Sequence, residues 1–234
     1  GSGKSISAAS LTKLAPRAAK YAGGSIRFNG QEMLALSDRE LRNIRGSQIS
    51  YVFQEPMTSL NPVFTVGWQI EEAIKLHQKG LDRKAEVQRL LDLVHLPDRL
   101  ASAYPHEMSG GQLQRCVIAM ALACFPELLV ADEPTTALDV TVQREILNLL
   151  SELSEKVGLS ILMITHNFGI VADLAQRVYV MQKGRIVEEG TTRQVLYEPL
   201  HEYTKQLMAA VPRLHPRNES SFTTEGTENT EEKK

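Results

Sequence analysis

The sequence predicts an α/β fold, in which helices flank a mostly parallel sheet and a helical subdomain is inserted between two of the strands. Short apolar runs alternate with longer stretches of helical periodicity, as expected when helices pack on a sheet. Two of the runs, residues 128–131 and 161–164, are continuously apolar, which is typical of strands buried on both faces. About 75 residues before the first of these runs show helical periodicity and no strand signal.

The elements follow from these patterns. Predicted helices at residues 66–78, 83–94 and 111–124 form the inserted helical subdomain, at about residues 55–127, and a fourth helix at 140–156 has one apolar face. We expect one domain over residues 1–212 and a disordered polar tail at 213–234, because the tail has too few apolar residues to order itself. The predicted strands are residues 25–28, 49–53, 128–131, 161–165, 178–181 and 185–188.

Composition narrows the classes of function. With 26 basic and 28 acidic side chains the net charge is −2, so no global positive field favours nucleic acid as a partner. The longest apolar run has ten residues, at 116–125, whereas a membrane span needs roughly 18. The two cysteines, Cys116 and Cys124, are too far apart for a disulfide if they share one helix. We therefore expect a protein of a reducing, cytoplasmic compartment.

The first motif lies at the beginning of the chain. Gly1, Ser2, Gly3, Lys4 and Ser5 match the last five positions of the phosphate-binding loop GxxxxGK[ST] and precede a plausible helix. Glycines allow backbone N–H groups to approach phosphate oxygens, the lysine reaches the β- and γ-phosphates, and the serine hydroxyl binds Mg²⁺. Taken alone, these five residues are equally compatible with a Gly/Ser linker.

A second motif supports the first. The apolar run at 128–131 is followed by Asp132 and Glu133, at the strand end that faces the ligand crevice in an open α/β sheet. We expect Asp132 to bind Mg²⁺ and Glu133 to act as the general base that polarises the attacking water. Without the lysine loop, two adjacent acids would be read as the beginning of a solvated loop.

The third motif, MSGGQ at residues 108–112, is the most specific. Ser109, Gly110, Gly111 and Gln112 lead into a predicted helix, and glycines at a helix start expose N–H groups to an anion. The sequence therefore predicts a second phosphate-binding loop. A glycine-rich helix cap is the simpler interpretation, but it does not explain a strand with two acids some twenty residues later.

Together the motifs resemble the series found in ABC-transporter ATPases, over residues 1 to about 212. The resemblance implies a P-loop NTPase nucleotide-binding domain of the ABC type, with ATP and Mg²⁺ as cofactors. It also implies that two such domains pack head to tail, so that each ATP lies between the lysine loop of one and the signature loop of the other. The residues that carry it are GSGKS at 1–5, Gln54, MSGGQ at 108–112, VADEP at 130–134, Ala137–Leu138–Asp139 and His166.

The resemblance also implies a role for each matched residue. Glu133, His166 and Gln54 form the catalytic set, with Gln54 sensing Mg²⁺ and the attacking water and His166 contacting the γ-phosphate. Asp139 lies in the loop that communicates across the dimer, and Ser5, Gln54 and Asp132 are the residues implied to bind Mg²⁺.

Two further strings resemble importers of the oligopeptide and dipeptide group. They are FQEPMTSLNP at 53–62 and HEYTKQLMAAVP at 201–212, where the group usually has HPYT instead of HEYT. Many members of the group continue into a cysteine-bearing extension associated with an iron–sulfur cluster. No cysteine follows Cys124, so we predict no cluster.

The resemblance implies an ATP-hydrolysing subunit that couples ATP hydrolysis to uptake of peptides or related small solutes through separate permease subunits. The expected partners are a second ABC ATPase domain, in a homo- or heterodimer, the permeases and, indirectly, a solute-binding protein; nucleic acid is not expected. The location implied is the inner face of the plasma membrane. A soluble ABC ATPase acting on ribosomes or DNA is the alternative, but the net charge of −2 and the importer-like ending argue against it.

One departure from the family concerns the beginning of the chain. The first strands of the family, its adenine-stacking aromatic residue and the opening glycine of the phosphate loop all precede the lysine loop, and here nothing precedes it. We therefore expect an N-terminally truncated fragment that binds ATP poorly or not at all, while the intact protein hydrolyses it. A non-catalytic remnant that only binds partners is the other interpretation.

Overall fold

A computed structural model describes residues 1–78 and 80–210. The strands are β1 (Arg27–Phe28), β2 (Gln31–Glu32), β3 (Ile49–Val52), β4 (Leu128–Asp132), β5 (Ser160–Ile164), β6 (Arg177–Gln182) and β7 (Arg185–Thr191). The helices are α1 (Lys4–Ser10), α2 (Asp38–Ile44), α3 (Pro56–Ser59), α4 (Val66–His77), α5 (Arg83–Leu93), α6 (Gly110–Leu122), α7 (Val140–Val157), α8 (Phe168–Leu174), α9 (Thr192–Tyr197) and α10 (Glu202–Ala210).

The central sheet is parallel. Its order is β3-β4-β5, with Val52 opposite Ala131 and Asp132 opposite Ile164. This register brings the carboxyl ends of the three strands to one edge of the sheet, where ligands bind in open α/β folds. Two antiparallel pairs, β1 with β2 and β6 with β7, complete the strands in the described part of the chain.

The predicted strands are confirmed, with different bounds. The first shortens to Arg27–Phe28, and the second ends at Val52 instead of Phe53. The expectation that residues 161–164 are buried on both faces is wrong, because Leu162 is 36% exposed. Within the described residues β5 pairs only with β4 and is an edge strand of this sheet. Burial on both faces requires packed layers over both, and the face that carries Leu162 is only partly covered.

The four predicted helices are confirmed within one or two residues. Between β3 and β4 the chain is helical, with α3 to α6 and two short 3₁₀ turns, and no strand is found there among the described residues. The apolar faces of these helices and of α7 share one core, whose fully buried members include Ile70, Leu90, Ile118 and Leu149. A second cluster of buried residues lies on the other side of the sheet, around Met33, Leu41 and Val130.

Helix α6 ends at Leu122, so the two cysteines do not share one helix as the sequence had suggested. Both thiols are free and buried. Burial raises the pKa of Cys116 to about 12 and that of Cys124 to about 11, which keeps both thiols protonated at neutral pH. They behave as small apolar side chains of the core.

Helix α6 packs closely on α7. A methyl group added at Gly111 would lie 2.6 Å from Cγ1 of Val142, which is closer than two carbon atoms can approach. A glycine is therefore needed here because a side chain would prevent the close approach of the two helices, not because of its backbone conformation. It sets the position of the loop that precedes α6 relative to the turn that precedes α7.

Among residues 1–78 and 80–210, no helix combines the length and the apolar character needed to span a membrane. The predicted disordered tail at 213–234, together with residues 211 and 212 of the HEYT string, lies outside the described residues.

The packing of α6 on α7 leads to a stability prediction. Gly111→Ala should lower the free energy of unfolding by about 1–3 kcal/mol, because the added methyl overlaps Val142 in a packed interface. The double variant Gly111→Ala/Val142→Ala should lose less than the sum of the two single variants. Urea unfolding of the whole chain measures each value. Gly23→Ala is the control, since an added methyl there meets nothing within 4 Å. If the loss of stability in the double variant equals the sum of the losses in the two single variants, the added methyl does not overlap Val142.

Candidate functional site

Three side chains converge on the carboxylate of Glu133. Gln54 donates from Nε2 to Oε2 at 3.1 Å, and the Thr136 hydroxyl donates to the same oxygen at 3.1 Å. Nδ1 of His166 lies 3.0 Å from Oε1. Gln54 follows β3 and His166 follows β5, so the parallel register of the sheet places both beside the end of β4.

The backbone of Glu133 helps to aim this carboxylate. Its φ of 47° lies in the left-handed region, which is uncommon for a residue with a side chain and is typical of functional sites. The N–H of Glu133 donates to the carbonyl of Ile164 at 2.9 Å, so the turn is fixed to the end of β5. The chain therefore leaves the sheet at Glu133 with the side chain directed toward Gln54 and His166.

The environment keeps Glu133 ionised. The hydrogen bond to His166 is the largest cause that lowers its pKa below the usual glutamate value, and the Thr136 hydroxyl and the charges of His166 and Lys4 lower it further. Burial opposes the shift. The carboxylate is thus negatively charged at neutral pH, and the Lys4 ammonium is near enough to interact with it.

The lysine loop lies against the turn between β6 and β7. The N–H of Gly184 donates to the carbonyl of Ser2 at 2.9 Å, and a methyl added at Gly3 would lie 3.7 Å from Cα of Gly184. Gly3 has a φ of 93°, which favours glycine, and α1 begins immediately afterwards at Lys4. Lys4 donates from Nζ to Oγ of Ser2 at 3.3 Å, and Ser5 is exposed.

A second group of predicted residues surrounds the start of α6. Ser109 caps the helix in a reciprocal arrangement with Gln112, with bonds of 3.4 Å and 3.0 Å between side chain and backbone N–H. Asp139 caps α7, accepting from the N–H of Val142 at 3.0 Å. A methyl added at Gly110 would lie 3.2 Å from Leu138, so this loop is next to the turn at 137–139.

The predicted site residues therefore fall into two groups. Gln54, Glu133 and His166 meet beside Lys4, and Asp132 ends the strand that leads into Glu133. Residues 109–112 and Asp139 form the other group. Among the described residues, no hydrogen bond or ion pair joins the second group to residues 1–5.

Sequence reasoning missed two members of the first group. Thr136 bonds to Glu133 from three residues further along, and Gly184 holds the lysine loop from a distant hairpin. A threonine after two acids has no distinctive pattern. The Lys183–Gly184 turn is visible in the sequence, but its contact with Ser2 depends on tertiary structure.

Comparison with known proteins identifies the family. A family model described as "ABC transporter" matches residues 1–136, and one described as "Oligopeptide/dipeptide transporter, C-terminal region" matches residues 187–234. The chain is 49% identical over 218 residues to a probable peptide ABC transporter ATP-binding protein, y4tR of Sinorhizobium fredii, covering 91% of this chain and 65% of that protein. It is 46% identical over 229 residues to the oligopeptide transport ATP-binding protein OppD of Bacillus subtilis, covering 95% of this chain and 64% of that protein.

A solved structure shows the same fold. The dimeric post-hydrolysis structure of the ATP-binding cassette MJ0796 bound to ADP and Pi has a TM-score of 0.71 at 30% identity, covering 82% of each chain. The present chain spans just under two thirds of the length of the two curated relatives above. It belongs to the ABC transporter family and contains the C-terminal region of the oligopeptide/dipeptide transporter group.

Proposed function

We propose that this chain is the ATP-binding and ATP-hydrolysing part of an ABC importer that takes up peptides or related small solutes. The observation that carries the proposal is the Glu133 carboxylate, which contacts Gln54, Thr136 and His166 beside the lysine loop and has its pKa lowered by His166 and Thr136. The names of the relatives, a peptide ABC transporter ATP-binding protein and an oligopeptide transport ATP-binding protein, support the solute class.

The first group supplies the residues for hydrolysis. Lys4 and the N–H groups of the loop bind and orient the terminal phosphates, and the Glu133 carboxylate accepts a proton from the attacking water at Oε1 or Oε2. Gln54 orients that water, because its amide already bonds to the same carboxylate. His166 lies on the other side of Glu133, three-quarters exposed, where it can reach a γ-phosphate.

The donors present suit Mg²⁺, the cation that the family implies. Ser5 offers a hydroxyl, Asp132 a carboxylate and Gln54 an amide oxygen, and all three are the hard oxygen ligands that Mg²⁺ prefers. When bound, Mg²⁺ neutralises charge that develops on the phosphate oxygens. Gln54 donates to Glu133 through Nε2, so its Oε1 is the atom available to the cation.

The second group supports a dimer in which each copy completes the site of the other. Exposed Ser109 and the glycines after it present backbone N–H groups at the start of a 13-residue helix, and in the described part of the chain they form no hydrogen bond with the lysine loop. A second ABC ATPase domain, of the same or a related sequence, would bring them to the nucleotide. Permease subunits at the inner face of the plasma membrane are the further partners. Copurification of the full-length protein with membrane proteins, rather than with nucleic acid, tests this association.

Replacement of Glu133 tests the role of the base. Glu133→Gln keeps the size of the side chain but cannot accept the proton, so ATP hydrolysis in the full-length protein should fall by about 10²–10⁴-fold while ATP binding persists. Phosphate release and gel filtration with ATP measure the two effects, and the variant should accumulate as a closed dimer. Glu198→Gln, at an exposed carboxylate, is the control. Turnover of Glu133→Gln at the normal rate would show that Glu133 is not the base.

The acid side of the pH profile tests the environment of Glu133. Because the pKa of Glu133 is lowered, hydrolysis should persist as pH falls until the carboxylate is protonated below the usual glutamate range. Thr136→Val removes one stabilising hydrogen bond, so the pKa rises and activity should be lost at a higher pH than in the wild type. Thr58→Val, which removes a surface hydroxyl bonded to the Glu55 carbonyl, is the control. If Thr136→Val loses activity at the same pH as the wild type or at a lower pH, Glu133 is not the group that sets the acid side of the profile.

A crosslink tests the dimer. With Ser2→Cys and Ser109→Cys in one full-length protein, an intermolecular disulfide should form under mild oxidation and should require saturating ATP. Cys116 and Cys124 are buried, so they do not compete for the new thiols. Each single variant is a control, because it lacks one of the two thiols and should give no ATP-dependent crosslink between position 2 of one copy and position 109 of the other. If the double variant never crosslinks at saturating ATP, the two groups do not share a nucleotide.

A further inference from the structure

The end of α1 is held by a tyrosine from the central sheet. The Tyr51 hydroxyl lies 3.2 Å from the Ala8 carbonyl and 2.9 Å from Oγ1 of Thr12, which is fully buried. A phenol has one proton to donate, and the carbonyl only accepts, so Tyr51 donates to Ala8 and Thr12 donates to Tyr51. Burial raises the pKa of Tyr51, so the phenol keeps this proton at neutral pH.

An arginine completes the contact. Nε and Nη2 of Arg45, four residues before the first residue of β3, donate to the Thr12 carbonyl at 2.9 Å and 2.7 Å. A positive charge near the carboxyl end of a helix complements the helix dipole. Thr12 lies two residues beyond the end of α1, so Arg45 holds the turn that follows the helix, while Tyr51 adds a second donor to the Ala8 carbonyl, which also accepts from the Leu11 N–H. Both contacts come from a single segment of chain that leads into β3.

Apolar packing holds α1 only weakly. Ala8 is the one residue of the helix that is buried, and Ile6 is 53% exposed. The polar contacts of Tyr51 and Arg45 are thus a large part of what fixes this helix on the sheet. Since α1 has seven residues, it is about 10 Å long, and a shift or tilt at its far end is transmitted to Lys4 and Ser5.

We propose that Tyr51 and Arg45 are positioning residues for the nucleotide site, which set the location of Lys4 and Ser5 relative to Gln54. The placement of Tyr51 supports this role, because Gln54 follows it by three residues along the same segment. One strand thereby fixes both the helix of the lysine loop and the amide that bonds to Glu133. The proposal rests on the function proposed above.

Tyr51→Phe in the full-length protein removes only the hydroxyl and is the main test. The lysine loop binds phosphate in the ground state and in the transition state alike, so the KM for ATP should rise about two- to tenfold while kcat changes less than twofold. Thr12→Val should raise the KM for ATP by less than Tyr51→Phe does, since Tyr51 keeps its bond to Ala8. Thr12→Ser retains the hydroxyl, so its KM should equal that of the wild type. Tyr197→Phe, at a tyrosine that is 59% exposed, is the matched control.

Hydrogen exchange gives a readout that does not need ATP. The N–H groups of Leu11, Lys13 and Leu14 bond within the end of α1, and they should exchange faster in Tyr51→Phe, while those of β4 keep wild-type rates. A higher KM together with this local change supports the proposal. An unchanged KM, a loss confined to kcat, or faster exchange throughout β4 would overturn it. A wild-type protein that hydrolyses no ATP would overturn the proposed function and the positioning role together, whereas the exchange result would still report on the contact itself.

Discussion

The parallel register of β3, β4 and β5 is the constraint on which the candidate site depends. It pairs Asp132 with Ile164, so the strand that ends in two carboxylates and the strand that precedes His166 stop at the same level. Glu133 then turns through a left-handed backbone conformation and bonds to Ile164 by its N–H. Gln54 reaches the same carboxylate from the other neighbouring strand because β3 is in register with β4. A slip of one residue in either pair would separate these side chains, since successive side chains point to opposite faces.

The second group depends on a different constraint, the close approach of α6 to α7. Gly111 allows that approach, and the caps at Ser109 and Asp139 fix where each helix begins. The loop before α6 and the turn before α7 consequently form one surface. Its N–H groups and the lysine loop are built from separate parts of the same chain, with no hydrogen bond between them among the described residues. In the proposed dimer, a second copy of the domain would bring these two sets of N–H groups to one nucleotide.

Local pattern was sufficient for β4 and for the helices between β3 and β4, because apolar periodicity reports directly on burial against one core. It failed for Leu162, whose exposure depends on which elements pack over that face of β5, and such packing is a property of the whole fold. The residues with a distinctive spacing, such as Lys4 and Glu133, could be selected as candidates from the sequence. Thr136 and Tyr51 could not, since each acts through one hydroxyl whose partner is known only when the chain is folded.

The contact between His166 and Glu133 has a consequence for the strength of the base. The hydrogen bond to His166 contributes most to lowering the pKa of Glu133, and a carboxylate of lower pKa accepts a proton less readily. His166 is exposed and has no other hydrogen-bond partner for its ring among the described residues. Any ligand that draws the imidazole away from Glu133 therefore raises the pKa of the carboxylate and makes it the stronger base. The same movement leaves Gln54 and Thr136 on Oε2, so the carboxylate keeps its orientation while Oε1 becomes accessible.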